Sequence, residues 1–263
     1  MIQKKVSIIM STFNNDLYIK ESIESVLNQN YDNFEFIIID DCSTDNTFEI
    51  VKSFQDKRII YIKNKENKGL VTNLNKGIGI STGKYIARID SDDYWVDKDK
   101  LKKQVDFLEN NKEYGLVGTQ AKAYDLNNNY LFSIKNPILD YKIRKVTLVK
   151  NPFIHSSVLY SKKVINECGK YNEKEKNVED YGLWMRIGKK MKLANLNSFS
   201  VYYRLNKKGI TQSNNLKQIK ANILLIKKNR KNYPNYFLGI LKWKLKELLV
   251  RCKLLKIINY FKK

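Results

Sequence analysis

Short apolar runs alternate with amphipathic segments over the first 90 residues, and this alternation limits the possible folds more than any other feature of the chain. Runs of β-branched and aromatic residues predict buried strands, and apolar residues spaced three or four apart predict helices. The predicted strands cover residues 6–10, 34–39, 59–62 and 84–89, and the predicted helices cover residues 16–29, residues 70–80 and a segment that begins at Thr44 or Asp45. Strand–helix–strand alternation builds a mainly parallel sheet covered by helices, so we predict an α/β fold.

Polar residues follow three of these predicted strands at the point where each strand ends. They occupy residues 11–14, 40–41 and 90–93. The carboxyl ends of parallel strands lie at one edge of a sheet, and open α/β sheets bind their ligands at that edge. We therefore expect the three polar clusters, which are far apart in the sequence, to meet in one crevice.

The second half of the chain is less regular than the first. Its patterns predict helices over residues 98–109 and 178–191 and strands over residues 115–124, 130–134, 153–160 and 195–204. From about residue 214 the pattern becomes helical and basic, with an interruption at residues 233–235. We predict a main domain over residues 1–213 and a basic amphipathic helical tail over residues 214–263.

The formal net charge of +22 is concentrated in the tail, where residues 215–263 contain 14 Lys or Arg and one acid, Glu247. An enzyme of nucleic acids would more often carry its basic residues around the active cleft, so no nucleic-acid partner is expected. Leucines at positions 238, 241, 245 and 248 share one helical face, and Trp243 lies on a second face. A basic amphipathic helix of this kind is typical of binding to an anionic membrane surface, and packing against the main domain or a partner subunit is the alternative.

The cysteines and the apolar runs indicate the cellular compartment of the protein. Cys42, Cys168 and Cys252 are far apart and form neither a CxxC pair nor a zinc-binding spacing, which favours free thiols in a reducing compartment. The apolar run after the N-terminus is too short for a signal peptide, and no stretch approaches the ~20 apolar residues of a membrane span. We therefore expect a cytoplasmic protein that is peripheral on the inner face of the cytoplasmic membrane.

Three carboxylates within four residues follow the fourth predicted strand, at Asp90, Asp92 and Asp93. They repel one another at neutral pH, so a cation that compensates their charge would stabilise the cluster. Oxygen ligands on a short loop suit Mn²⁺ or Mg²⁺ that also holds a substrate diphosphate. A solvated acidic turn, or an N-cap for the following helix, is the structural alternative.

A second acidic site, Glu179 and Asp180, lies at the start of a predicted helix. The two acids could complement the helix dipole, or one of them could act as a general base. His155 is the only histidine, so a zinc site has no support, and it is predicted either to serve the site or to be buried and hydrogen-bonded. The neighbouring Ser156 and Ser157 lack a partner base, so a hydrolase triad has little support.

Several motifs resemble, in the same order, those of the family 2 glycosyltransferases, which have the GT-A fold. The resemblance covers roughly residues 4–205 and is densest over residues 4–95. The matching stretches read VSIIMSTFN (6–14), SIESVLNQ (22–29), FEFIIIDDCSTD (34–45), NKGL (67–70), LNKGI (74–78) and STGKYIARIDSDD (81–93). The resemblance implies that residues 1–95 form a nucleotide-binding half and residues 96–213 an acceptor half.

The resemblance also implies roles for the residues that would bind the donor. Thr12 and Phe13 would line the nucleotide base, with the ring of Phe13 stacked on it, and Asp41 would accept a hydrogen bond from the base. Asp90 would lie near the ribose, and Asp92 would bind the metal that bridges the diphosphate.

Further roles follow from the same resemblance for the reacting part of the site. Asp93 would contact the donor sugar or metal-bound water. Asp180 would be the catalytic base with Glu179 in support, and His155 would lie close to the metal or the acceptor. Gly182 departs from the family pattern, because an Asp is common there, and this leaves the acceptor contacts open.

Together these features predict an inverting glycosyltransferase that moves a sugar from a nucleotide-sugar, normally a UDP-sugar, to a glycan or lipid-linked acceptor in bacterial surface polysaccharide synthesis. The Gln-x-x-Arg-Trp motif of processive synthases is absent, which favours transfer of one sugar at a time. A nucleotidyltransferase is one alternative, although residues 10–15 lack the glycines and lysine of its usual phosphate loop. A non-catalytic membrane-binding protein is another, and it would leave both acidic sites unexplained.

Overall fold

The computed structural model describes residues 4–205 and 215–252. Its strands, β1 to β9 in chain order, are Val6–Thr12, Phe34–Asp40, Ile59–Lys63, Tyr85–Arg88, Tyr94–Trp95, Tyr114–Tyr124, Tyr130–Ile134, Leu159–Ser161 and Lys192–Arg204. Its helices, α1 to α9, are Ile19–Leu27, Thr47–Ser53, Leu70–Ile80, Lys100–Asn110, Asp140–Val146, Lys162–Cys168, Glu179–Gly188, Asn215–Asn229 and Tyr236–Arg251. Every element predicted over the first 90 residues is present, with its ends shifted by a few residues at most.

Within the described residues the strands form one sheet in the order β3-β2-β1-β4-β8-β6-β9-β5, with β7 paired to β6. Strands β3, β2, β1 and β4 are parallel, and Val6 of β1 lies opposite Phe34 on one side and Tyr85 on the other. Every residue of β2 is buried, as expected for a parallel strand with helices on both faces of its sheet. The predicted α/β fold is confirmed.

Strand β8 joins the two halves of the sheet, because it is antiparallel to both β4 and β6. The long strands β6 and β9 are parallel to each other. Strand β5 directly follows the acidic loop of residues 90–93 and pairs with the end of β9, where Tyr94 lies opposite Tyr202. This pairing brings the last residues of β9 against the acidic loop.

Two hydrophobic layers cover the sheet, and strand β1 shows how the alternation of side chains assigns residues to them. Ile8 belongs to the cluster that includes Ile23 of α1, whereas Ile9 belongs to the cluster that includes Leu74 of α3. All four side chains are buried. Burial of each such side chain stabilises the fold by about 1.5–3 kcal/mol, so the strand that carries the first polar cluster is firmly anchored.

The prediction of a strand over residues 153–160 is wrong. A 3₁₀ turn, His155–Ser157, occupies the middle of this segment, and β8 begins only at Leu159. The N–H and the hydroxyl of Ser157 both donate to the carbonyl of Ile154, at 2.9 and 2.8 Å. A serine that bonds to nearby backbone in this way offers the chain an alternative to sheet pairing. The short elements α5, α6 and β5 have no counterpart among the predicted elements, because none is long enough to show a clear period.

The C-terminal helices α8 and α9 pack on the main body of the protein. Ile226 of α8 and Ile240 of α9 share a hydrophobic cluster with Tyr181 of α7. Gly239 approaches the body so closely that a Cβ there would lie 2.1 Å from the carbonyl oxygen of Leu148. The interruption predicted at residues 233–235 separates the two helices and is confirmed. Over residues 4–205 and 215–252, no helix has the length and apolar character that a membrane crossing requires.

Candidate active site

A cavity of about 970 Å³ opens where the acidic loop, the start of α7 and the C-terminal helices meet. Two acidic sites that are far apart in the sequence lie on its wall. Six of the residues that the sequence assigns to the site line this cavity: Asp90, Asp92, Asp93, His155, Glu179 and Asp180. The other three, which are outside the lining, follow or end strands β1 and β2: Thr12, Phe13 and Asp41.

Asp90 is held by one group from β4 and one from the 3₁₀ turn. Its carboxylate accepts a hydrogen bond from the buried guanidinium of Arg88 and another from the hydroxyl of Ser156 at 3.0 Å. Burial alone would raise the pKa of Asp90, but the charge of Arg88 holds it below its ordinary value. Asp90 is therefore an ionised carboxylate whose position is fixed by the fold.

Asp93 is buried and attaches the acidic loop to strand β9. Its carboxylate accepts the backbone N–H of Arg204 at 2.9 Å and contacts the hydroxyl of Ser156. Burial raises the pKa of Asp93 well above its ordinary value, and repulsion by Asp92 adds to the shift. Asp93 thus positions the loop, whatever contact it makes with a donor.

Ser156 is the centre of this arrangement. Its hydroxyl lies within hydrogen-bonding distance of the carboxylates of Asp90 and Asp93 and accepts the backbone N–H of Asp90 at 3.0 Å. A hydroxyl has only one proton to donate, so a proton retained on Asp93 completes the second hydrogen bond. Ser156, for which the sequence gives little support in a hydrolase triad, therefore organises the acidic loop.

Asp92 differs from its two neighbours. Its backbone carbonyl accepts a hydrogen bond from Arg204 at 3.0 Å, but across the described residues its carboxylate receives no hydrogen bond from another residue. Burial and the charge of Asp90 raise the pKa of Asp92 to about 6. Such a carboxylate fits a divalent cation, which takes oxygen ligands.

A complete metal cage is not required for that fit. The part of the chain that the structure describes contains no group of three or more His, Cys, Asp or Glu that could hold a metal by itself. Mg²⁺ is commonly held by one or two carboxylates together with substrate phosphates and water. Asp92 can therefore supply the protein ligand while the donor diphosphate supplies others.

Arg204 is a residue of the site that the sequence analysis missed. It is buried at the end of β9, where its guanidinium pairs with Glu21 at 2.8 Å and lies over the ring of Tyr18 at 4.2 Å. The Nε of Arg204 is buried and has no partner among the described residues. A charged residue within an apolar strand is rarely part of an ordinary core, and this pattern could have identified it.

The acid pair begins helix α7. Asp180 accepts the side-chain N–H of Asn151 at 2.8 Å and the backbone N–H of Tyr181 at 2.6 Å. Burial raises the pKa of Asp180 to about 6, although these two hydrogen bonds act in the opposite direction. A carboxylate that is ionised near neutral pH and still binds a proton readily has the properties of a general base.

Glu179 is the more buried member of the pair. One of its carboxylate oxygens is buried without a hydrogen-bond partner among the described residues. Burial, and then the charge of Asp180, raise the pKa of Glu179 to about 7. Both members of the pair therefore bind a proton more readily than an exposed carboxyl group does.

His155 lines the cavity in a neutral form. Its Nε2 is hydrogen-bonded to the hydroxyl of Tyr171 at 2.9 Å, and its ring packs against Trp184. Burial, reinforced by the charge of Arg88, lowers the pKa of His155 to about 3. The sequence left open whether this histidine is hydrogen-bonded inside the protein or serves the site. In the structure it is hydrogen-bonded to Tyr171 and also lines the cavity.

Thr12 and Phe13, at the end of β1, lie in different environments. Thr12 is buried and its hydroxyl has no partner among the described residues, whereas Phe13 is 49% exposed. An exposed ring beside an unpaired hydroxyl suits a planar ligand that stacks and hydrogen-bonds. The side chain of Asn15 donates to the hydroxyl of Ser91 at 2.8 Å, so this end of β1 is attached to the acidic loop.

Asp41 holds the loop that precedes α3. Its carboxylate accepts the N–H groups of Lys68 and Gly69 at 2.7 and 2.8 Å and the side chain of Asn64 at 3.0 Å. Gly69 has a φ of 83°, a conformation that favours glycine, which explains the glycine of the NKGL motif. Burial alone would raise the pKa of Asp41, but these hydrogen bonds and one from Asn73 hold it below its ordinary value, so Asp41 is an ionised carboxylate.

The departure from the family pattern at Gly182 has a structural cause. A Cβ at this position would lie 2.0 Å from Oε2 of Glu175. Glu175 forms ion pairs with Arg186 of α7 at 2.6 Å and with Lys228 of α8 at 3.4 Å. A carboxylate from the preceding turn thus occupies the space beside Gly182 and connects α7 to the C-terminal helices.

Comparison with solved structures shows the fold. The TM-score is 0.70 to S. aureus TarS 1–349 in complex with UDP-GlcNAc, at 19% identity over 92% of this chain and 72% of that chain. It is 0.69 to the mannosyltransferase PcManGT from Pyrobaculum calidifontis in complex with GDP-Man and Mn²⁺, at 16% identity over 93% of this chain and 70% of that chain. The predicted GT-A type of fold is confirmed.

Comparison of sequences shows the family. The model for glycosyl transferase family 2 matches residues 7–169, which is more than half of the chain. The Escherichia coli protein UDP-Glc:alpha-D-GlcNAc-diphosphoundecaprenol beta-1,3-glucosyltransferase WfaP is 35% identical over 226 residues, 81% of this chain and 86% of that protein. These matches favour a glycosyltransferase over a nucleotidyltransferase or a non-catalytic membrane-binding protein. The chain belongs to the family 2 glycosyltransferases.

Proposed function

We propose that the enzyme transfers one sugar from a UDP-sugar, with inversion at the anomeric carbon, to a glycan acceptor carried on a lipid diphosphate. The observation that carries this proposal is that Asp92, which suits a cation, and Asp180, which suits a general base, line the same cavity. The E. coli relative is named for a UDP-glucose donor and a GlcNAc-diphosphoundecaprenol acceptor, and the TarS structure holds UDP-GlcNAc. These names support the donor class and the acceptor class.

Asp180 accepts the proton of the acceptor hydroxyl while the glycosidic bond forms. The hydroxyl oxygen attacks the anomeric carbon, and the bond from that carbon to the diphosphate breaks with its electron pair remaining on UDP. Asn151 and the N–H of Tyr181 hold the carboxylate in place for this step. The base lies on the face opposite the leaving group, so the configuration at the anomeric carbon inverts.

The donor nucleotide is proposed to lie along the carboxyl ends of β1, β2 and β4. Phe13 stacks on the base, the hydroxyl of Thr12 and the carboxylate of Asp41 bind its polar edge, and Asp90 binds the ribose. Asp92 would hold Mn²⁺ or Mg²⁺ at the diphosphate, and the PcManGT structure, which holds Mn²⁺, supports this assignment. A bound divalent cation stabilises the negative charge that develops on the departing diphosphate.

Asp93 and His155 complete the proposed site. Asp93 fixes the loop that carries Asp92, and it lines the cavity, where it contacts the donor sugar in this proposal. His155 is neutral and can hydrogen-bond a ligand without adding a positive charge to the cavity.

The outer face of α9 is proposed to lie on an anionic membrane. Leu238, Leu241, Leu245 and Leu248 form a row along this face, and each is more than half exposed. Trp243, on another face, packs with the hydrophobic cluster that joins α9 to the body. The two sequence-based interpretations of the tail thus concern different faces of one helix. Each basic residue near an anionic surface contributes about 1 kcal/mol to the free energy of membrane binding. This contact would place the enzyme on the inner face of the cytoplasmic membrane, where lipid-linked precursors of surface polysaccharide are presented.

Calorimetry of UDP binding, with and without Mn²⁺, tests the donor assignment. We expect Mn²⁺-dependent binding to wild type, to Asp180→Asn and to the control Asp32→Asn, whose side chain is exposed and outside the cavity. We expect that binding to be lost in Asp92→Asn. Binding that needs no metal, or a preference for GDP over UDP, would reject the proposed donor site.

Sedimentation with vesicles that contain anionic lipid tests the membrane face. Leu241→Ser combined with Leu248→Ser should weaken vesicle binding, because both side chains lie on the exposed row. Leu224→Ser is a matched control, because Leu224 is 69% exposed but belongs to α8. Equal vesicle binding by the double variant and wild type would rule out this face as the contact.

A further inference from the structure

Lys150 is a cation of the cavity that the proposed reaction does not use. It lies on the cavity wall and is partly buried, and its ammonium group donates to the side-chain oxygen of Asn136 at 3.1 Å. Over the described residues Lys150 forms no ion pair. Burial lowers the pKa of Lys150, and no carboxylate of residues 4–205 or 215–252 pairs with its ammonium group. A desolvated, unpaired cation in a ligand cavity indicates an anionic ligand.

Helix α9 contributes a second group of this kind. Trp243 lines the cavity, and its indole N–H is buried without a hydrogen-bond acceptor among the described residues. The ammonium group of Lys246 lies 5.0 Å from the centre of the Trp243 ring, and Lys246 and Lys242 line the same cavity. An N–H donor without an acceptor, next to the ammonium group of Lys246, is suited to a phosphate oxygen.

These donors are distinct from the acidic part of the cavity. Burial raises the pKa of both Asp92 and Asp180, and the charge of Asp90 adds to each shift. The pKa of Lys150, in contrast, is shifted by burial and not by any of these three carboxylates. In the proposed reaction the donor diphosphate lies at Asp92. A second phosphate group, on the other substrate, is therefore the ligand that would neutralise Lys150.

We propose that Lys150 and Trp243, with Lys246 beside them, form a subsite for the phosphate groups that join the acceptor glycan to its lipid. This inference deepens the proposed function and rests on it. The first sugar of the acceptor would lie between this subsite and Asp180. Leu245 lines the cavity and is also 54% exposed on the outer face of α9, so the lipid would leave the cavity along the leucine row.

Binding of two matched probes, in the presence of UDP and Mn²⁺, tests the subsite. One probe is GlcNAc α-diphosphate with a short prenyl chain, and the other is the α-glycoside with the same sugar and chain but no phosphate. Lys150→Met should weaken binding of the diphosphate probe about ten- to hundredfold, because a charge-assisted contact is lost. Trp243→Phe keeps a ring but removes the N–H, and should weaken it about twofold to tenfold.

The controls isolate the phosphate contact from the fold and from the donor site. Lys244→Met removes a lysine of the same helix that pairs with Glu247 at 3.1 Å and lies outside the cavity lining, and it should bind both probes as wild type does. All variants should bind UDP and the phosphate-free probe with unchanged affinity. Retained UDP binding also shows that each variant is folded.

Two outcomes would overturn the subsite. If Lys150→Met weakens binding of UDP as much as it weakens binding of the diphosphate probe, the lysine serves the donor diphosphate. If wild type binds the two probes equally, no phosphate subsite exists. Failure of the proposed function gives a different result: wild type would not bind UDP with Mn²⁺, while binding of the diphosphate probe alone would still depend on Lys150.

Discussion

The two acidic sites of the cavity are held by the protein in opposite ways. In the acidic loop, donors from β4, from the 3₁₀ turn and from β9 engage the carboxylates of Asp90 and Asp93. Over the described residues, the carboxylate of Asp92 receives no such hydrogen bond. In the acid pair at the start of α7, Glu179 has an unpartnered oxygen and Asp180 relies on Asn151 and its own neighbour's N–H.

This difference in hydrogen bonding distinguishes carboxylates that are held in a fixed position from carboxylates that can exchange a proton. A carboxylate engaged by an arginine keeps a lowered pKa and a fixed place, as Asp90 does. A buried carboxylate with few donors has a raised pKa, as Glu179 and Asp180 have, and Asp92 in the loop shares this property. The loop around Asp92 is held by the ion pair of Arg88 with Asp90, whereas over the described residues no cation pairs with either member of the acid pair. We therefore propose that the loop binds ligands and that the pair transfers protons, and the following substitutions can break or sharpen that division.

Asp180→Asn should have the largest effect. Removal of a general base lowers the rate of the chemical step by a factor of about 10² to 10⁴, while the carbonyl oxygen of the amide can still accept from Asn151. Steady-state transfer assays with a UDP-sugar and a lipid-diphosphate acceptor give kcat, and calorimetry should show unchanged UDP affinity. Glu173→Gln, at an exposed acid of the nearby turn, is the control and should retain wild-type kcat. Full activity in Asp180→Asn would remove the acid pair from the chemistry.

Ser156→Ala should have the next largest effect, and on the loop rather than on the chemistry. It removes the hydroxyl that contacts Asp90 and Asp93 and leaves both carboxylates, of which that of Asp93 is buried, short of a partner. Loss of such a hydrogen bond lowers the free energy of unfolding by about 1–3 kcal/mol, which urea denaturation would measure. Ser53→Ala, at an exposed serine, should change it by less than about 0.5 kcal/mol. If both variants unfold at the same urea concentration, the hydroxyl does not organise the loop.

The pH dependence of kcat should report the acid pair. Asp180 must be ionised to accept a proton, and its raised pKa of about 6 means that kcat should fall by about tenfold per pH unit below pH 6. Asn151 donates to the ionised carboxylate and so lowers its pKa. Asn151→Ala should therefore move the acid limb to higher pH, while kcat at pH 8 falls far less than in Asp180→Asn. An unmoved limb would mean that another group titrates.

The sequence predicted the first half of the site better than the second for a physical reason. Strand β1 and helix α3 are long, periodic and bounded by glycines or polar residues, so their ends and the polar clusters after the strands could be located. The contacts that organise those clusters come from elsewhere in the chain. Ser156 lies in a 3₁₀ turn that was predicted as a strand, and Arg204 lies at the end of a strand more than a hundred residues from its partner Asp93.

The contribution of α9 to the cavity wall could not be predicted from the sequence either. The pattern of the tail identified an exposed leucine row and a face with Trp243, but periodicity does not specify which surface a helix packs against. The contact of Gly239 with the carbonyl of Leu148 is a tertiary feature without a local pattern. The participation of Lys246 and Trp243 in the cavity could therefore only be found in three dimensions.

Gly182→Ala should have the smallest effect and tests whether the acid pair depends on the packing behind α7. The new methyl group would displace the end of the Glu175 side chain, which is flexible, and loosen its ion pairs with Arg186 and Lys228. We expect a loss of about 1 kcal/mol or less in the free energy of unfolding and little change in kcat.

A double-mutant cycle with Glu175→Ala separates this steric cause from others, because the methyl group meets no carboxylate once Glu175 is truncated. In the Glu175→Ala background, Gly182→Ala should therefore leave the free energy of unfolding almost unchanged. The effects of the two substitutions are then not additive, and urea denaturation can measure the difference. A large fall in kcat for Gly182→Ala alone, with stability unchanged, would instead show that the backbone at the start of α7 must keep its place for Asp180 to act. The reactivity of the acid pair would then depend on the position of helix α7 as well as on the few hydrogen bonds that the pair receives.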